Sequence, residues 1–137
     1  MNNQPSYRKA LLRIGSCLLL LATPALAGLD LHDYDDDLMR DLDRTIKFFE
    51  PDITAQNASA AKEDAAILLE GFRYTEDYFG KKGVADAVAI SRDGSKLVDA
   101  VMRNVEKGDF DAAAAAARGA TEVCKSCHDL YKPRLAR

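Results

Sequence analysis

The chain has 137 residues, of which 47% are hydrophobic and 30% charged. Three of its 19 basic residues and none of its 22 acidic ones fall in the first 27 positions, so the remainder carries 16 basic against 22 acidic side chains, a formal charge of −6. That balance argues against a nucleic-acid partner, and the length accommodates one domain with one core.

Met1 to Ala27 reads as a secretory signal. Arg8, Lys9 and Arg13 form a basic start, Ile14 to Ala22 an apolar run, and Ala25-Leu26-Ala27 an A-x-A cleavage site. The apolar run is shorter than the ~20 residues of a membrane-spanning helix, so no membrane anchor is expected after processing. Cys17 precedes Leu18-Leu19-Leu20-Leu21 rather than following the apolar stretch, which argues against lipidation. Cleavage after Ala27 would leave residues 28–137 as a single exported domain, which in a bacterium means the periplasm.

The rest of the chain predicts an all-α fold of four helices, with no strand-like alternation. The first is expected from Asp30 to Phe49, with Leu31, Tyr34, Leu38, Leu42, Ile46 and Phe49 inward, an acidic start suited to the helix dipole, and Pro51 as its stop. The second is expected from Ser59, as N-cap, to Phe79, with Ala61, Ala65, Leu68, Phe72 and Phe79 inward and Gly80 ending it. Lys81-Lys82-Gly83 is the turn. The third is expected from Val84 to Glu106, with Val84, Val88, Ser91, Val98, Met102 and Val105 inward; Gly94 in its middle predicts a bend or a close helix contact. The fourth opens at Asp109 as N-cap and continues through Ala112 to Ala117 to about Tyr131, before Pro133. The alanine run suits a helix lying close to neighbours or to a flat cofactor.

Cys124-Lys125-Ser126-Cys127-His128 lies on that last helix. C-x-x-C-H is the attachment signature of a c-type haem. Two thiols three positions apart on a helix can each form a thioether to one porphyrin edge, and the next residue aims its imidazole at the iron. A zinc site would need further Cys or His ligands, and outside the motif only Cys17 and His32 exist. A thioredoxin-like dithiol would need a βαβ context, which this sequence lacks. One covalent haem c is therefore expected, anchored by Cys124 and Cys127 and ligated by His128. At about 100° per residue, Phe110, Ala113, Ala117, Cys124, His128 and Tyr131 fall within roughly 60° of one another, so one helix face joins ligand and core. Gly119 lies almost opposite His128 and has no expected haem role, being either at a helix contact or a tolerated flaw in the helix.

A single C-x-x-C-H close to the C-terminus of an exported chain of four amphipathic helices, with Tyr131-Lys132 trailing it, resembles the class II cytochromes c, the cytochrome c′ family. The resemblance covers the chain from Gly28 onward. It implies an antiparallel up-down-up-down bundle with haem c attached to the last helix, often as a homodimer. It also implies two alternatives at the sixth iron position. In one branch a Met from the first helix fills that position, giving an electron carrier; in the other it is vacant and binds nitric oxide or carbon monoxide.

Met39 is the residue that decides between them. Relative to Leu31 at 0°, Leu42 lies near about 20°, Ile46 near 60°, Met39 near 80° and His32 near 100°, which sets Met39 at the edge of the apolar stripe. A core Met is often a mere gap-filler, and His32 is a competing donor. Met39 is nonetheless the expected sixth ligand, and Met102, in the third helix, is not. Arg40, Arg44, Tyr131 and Lys132 are candidate haem contacts, the basic ones as partners for propionates. The expected activity is electron transfer with a redox partner carrying a basic docking patch, with no substrate transformed.

Overall fold

The structure is a computed structural model that describes residues 29–135, with side chains as far as Lys132. The expected signal segment, its cleavage site and Cys17 lie outside the described residues. Those residues form four helices and no strand: α1 (Asp36–Thr54), α2 (Ala58–Lys81), α3 (Ala85–Glu106) and α4 (Phe110–Leu135). Each packs on the next in sequence, and α1 also packs on α4, the lightest of the four interfaces. The fold is an all-α helical bundle.

Local chemistry explains each boundary, including those that differ from expectation. α1 starts at Asp36 rather than Asp30, because the Asp35 carboxylate accepts the Leu38 N–H at 2.9 Å and so caps the helix there. The preceding residues turn instead of spiralling, with the Tyr34 N–H donating to the Leu31 carbonyl at 3.1 Å. Leu31 and Tyr34 are buried as expected, but outside the helix. At its other end α1 continues through Pro51 to Thr54. Proline removes a single N–H donor, whereas Phe49 and Ile53 on either side are fully buried and hold the last turn in place. Asn57 rather than Ser59 caps α2, its side chain accepting from the Ala60 N–H at 3.2 Å. α2 ends at Lys81 rather than Gly80, and the reversal is made at Gly83, whose φ of +71° no branched residue adopts cheaply. α3 ends as expected at Glu106. Asp109 caps α4 through the Ala112 N–H at 3.0 Å, and α4 runs past Pro133 to Leu135. The donor missing at Pro133 falls in the last turn, where helical carbonyls lack partners in any case.

Two hydrophobic clusters hold the helices together. The larger contains Phe49, Ile53, Ala61, Ala65, Leu68, Phe72, Val98, Val101, Val105 and the alanines 113, 114, 117 and 120 of α4. The alanine run therefore packs on neighbouring helices. The smaller contains Leu31, Phe79, Val84, Ala87 and Tyr131. On α3 the inward face differs from expectation: Ala87 and Val101 are fully buried, whereas Val88 and Met102 are only half-buried. Ion pairs such as Lys47–Asp43 and Lys125–Asp129 are solvent-exposed and contribute little beside this burial.

Gly94 marks a close helix contact, as the sequence predicts: a Cβ there would lie 2.2 Å from the Phe72 ring. At Gly119 an added Cβ would meet only the end of the Leu97 side chain, at 3.1 Å. Ala has about 1 kcal/mol more helix propensity than Gly, but overpacking against a rigid ring costs roughly 1–3 kcal/mol. Gly94→Ala is thus expected to lower stability in chemical denaturation, while Gly119→Ala leaves it near wild type or raises it slightly.

Candidate functional site

The four helices do not pack equally well along their length. Toward the start of α1 and the end of α4 two adjoining cavities open, of about 250 and 450 Å³. Met39, Asp43, Thr75, Cys127 and His128 line both. Small and hydroxylated side chains face this end of the bundle: Gly71, Thr75 and Ser91 border the smaller cavity. Their own hydrogen bonds are made locally, Thr75 Oγ1 donating to the Gly71 carbonyl at 2.8 Å and Ser91 Oγ to Ala87 at 2.9 Å. Apolar side chains make up most of the remaining wall, with Leu42, Ile46 and Ile90 left half-buried there, and Asp43 and Lys125 stand at its edge.

His128 and Met39 meet across this space. His128 Nε2 lies 3.4 Å from Met39 Sδ, a contact between residues 89 apart in sequence. His128 projects from α4 and Met39 from the first turn of α1, one turn beyond the Asp35 cap. Burial, and then the nearby Lys132 charge, hold the imidazole below its ordinary range, so it is neutral at neutral pH. A neutral imidazole is the form that binds metals.

The two cysteines are free thiols, each half-buried on the wall of this space. Cys124 packs on the larger cluster and Cys127 on the smaller, so the motif spans the gap between the two. Burial pushes both thiols up to about 11. Such thiols are protonated at neutral pH and make a poor redox dithiol, whose attacking cysteine needs a lowered pKa.

A covalently held haem fits these residues on three observations. The cavities separate two apolar clusters that a flat apolar group would bridge. The donor set is a neutral imidazole facing a thioether, and the thiols border the same space. At 3.4 Å the two donors stand closer than two ligands of one metal held between them would, so ligation would require them to part. Among the described residues no cluster of three or more His, Cys, Asp or Glu side chains could hold a metal ion, and no helix is long and apolar enough to cross a membrane.

The other sequence-predicted residues divide. Tyr131 is buried, lines the larger cavity and packs on Phe79 with ring centroids 4.9 Å apart. Arg40 and Lys132 stand at the same cavity, Arg40 paired with Asp37. Arg44 is not brought to the site: one turn beyond Arg40, it is exposed, pairs with Asp41 at 3.4 Å and lines neither cavity. His32, the competing donor, is exposed and bound to Asp30, so it too lies away from Met39 and His128. Met102 packs on the larger cluster. Sequence reasoning missed Asp43 and Thr75, which line both cavities. Asp43 follows Met39 by four positions, so helical spacing could have found it; nothing local marked Thr75.

The buried thiols carry a pH consequence. Their ordinary value is 9.0. A folded value raised above the unfolded one gives stability that is present below pH 9 and lost as pH rises through 11. Alkylation of the reduced, haem-free chain by iodoacetamide is expected to be slow at pH 8.5 and to accelerate toward pH 11, whereas a denatured sample reacts readily at the lower pH.

Comparison with protein-family models, with curated proteins and with solved structures gave no significant match, so the functional reading rests on this chain's own residues.

Proposed function

We propose that this protein is an exported, monohaem c-type cytochrome that transfers electrons in the periplasm, similar to the low-spin class II cytochromes c. Cys124 and Cys127 would anchor the haem by thioethers, and His128 and Met39 would ligate its iron. The observation that carries the reading is the 3.4 Å approach of His128 Nε2 to Met39 Sδ, with both thiols of the C-x-x-C-H motif on the wall of the same cavity.

When bound, the haem supplies a one-electron couple at its iron. The chain's part is to tune and shield it. The Met39 thioether would raise the potential relative to harder donors, and His128 and Met39, both held on helices, would limit rearrangement as the electron moves. The apolar side chains Leu42, Ile46 and Phe72 would limit water beside the metal, and Lys132 and Arg40, which line the larger cavity, would be the partners for haem carboxylates. Three-residue connections at 55–57, 82–84 and 107–109 support an up-down-up-down antiparallel order. The acidic charge favours a redox partner with a basic docking patch, steered into weak and fast encounters.

Absorption spectra of the holoprotein test this. Wild type is expected to give sharp low-spin reduced bands and the weak ferric band of a Met sulfur ligand. Met39→Ala is expected to turn the spectrum broad and high-spin and to open the iron to carbon monoxide. A high-spin wild type would instead make this a gas-binding protein with a vacant sixth position.

A further inference from the structure

Met39 sits on the first turn of α1, and α1 meets α4 more lightly than it meets α2, so a restraint tying the start of α1 to α2 would also set Met39 opposite His128. The residues just before the helix supply that restraint. The 29–35 segment is not helical, yet it buries Leu31 and Tyr34 in the smaller cluster region against α2 and α4. The Tyr34 hydroxyl lies 2.7 Å from Thr75 Oγ1, in a buried pair that ties the segment to α2 forty-one residues on. Thr75 already donates its own proton to the Gly71 carbonyl, so the tyrosine hydroxyl is the donor in this pair. The Tyr34 ring is held edge-on by Tyr74 and Tyr78, with centroids 5.4 and 4.8 Å away. Asp35, the cap of α1, is the next residue. Thr75 and Met39 line the same two cavities.

We propose that Tyr34, through its hydroxyl on Thr75, is a positioning residue that holds the first turn of α1 in place and with it keeps Met39 on the metal. The proposal rests on the Met39 ligation proposed above. In these terms Met39-on and Met39-off are two states of one site, and the Tyr34 clamp favours the first. Carbon monoxide binds only the second, so its apparent affinity rises in proportion to the population of that state.

The test uses the holoprotein. Tyr34→Phe keeps the ring and removes only the hydroxyl, leaving Thr75 bonded to Gly71. Loss of one neutral buried hydrogen bond changes such a two-state ratio roughly 2- to 10-fold. Carbon monoxide affinity of the ferrous protein is expected to rise by that factor in Tyr34→Phe, with a weaker ferric Met-sulfur band. Val105→Ala, which truncates a buried side chain of the larger cluster that lines neither cavity, serves as the general destabilisation control. It is expected to lower thermal stability and leave both readouts at wild type. If wild type itself lacks the sulfur band, Met39 ligation is wrong and this proposal falls with it. If wild type has the band and Tyr34→Phe leaves both readouts unchanged, only the clamp is wrong. If Val105→Ala raises carbon monoxide affinity as much as Tyr34→Phe, the effect is general loosening and the clamp is again overturned.

Discussion

Everything at the functional end of this bundle depends on bringing the first turn of α1 against the last turns of α4, so that a thioether and an imidazole meet 3.4 Å apart. Neither residue is held by the other. His128 is carried by a helix whose opposite end is fixed by alanines 113, 114, 117 and 120 in the larger cluster. Met39 is carried by a helix anchored at one end by Phe49 and Ile53 and capped at the other by Asp35. Small residues let α4 approach its neighbours at one end, and Gly71, Thr75 and Ser91 leave space at the other.

The resulting division of labour is thermodynamic as well as spatial. The larger cluster supplies well-packed apolar burial, the dominant favourable contribution to folding. The cavity end gives up part of that burial, leaving Leu42, Ile46 and Ile90 half-buried and two thiols beside a gap between clusters. Covalent occupation of that gap by a flat apolar group would restore the missing contacts, so cofactor attachment and folding are expected to reinforce each other. The same burial holds both thiols and the imidazole in their neutral forms, which suits attachment and ligation better than thiol redox chemistry.

Much of this was legible in the sequence, and the failures have physical causes. Helical periodicity placed all four helices and identified every inward residue named for α2, because long amphipathic segments carry a strong signal. It assigned Leu31 and Tyr34 correctly to the interior but wrongly to a helix, since a turn that buries two residues three apart mimics a helical stripe. Pro51 read as a stop because a local rule cannot see that Ile53 beyond it is completely buried. At the site, the motif residues could be named from chemistry and spacing, and Met39 from what the resemblance to the class II cytochromes c implies. Arg44 failed because periodicity gives a helix face but not how far along α1 the cavity extends, and Arg44 stands one turn beyond Arg40; Thr75 was invisible because it meets Tyr34 only when α2 packs on the segment before α1.

The central claim is that Met39 and His128 occupy opposite sides of one iron. X-ray absorption at the iron edge of the oxidised holoprotein tests this most directly, by counting the light and sulfur scatterers around the metal. The account predicts a single sulfur neighbour that disappears in Met39→Ala while the nitrogen shell persists. An iron with no sulfur neighbour in the wild type would contradict it.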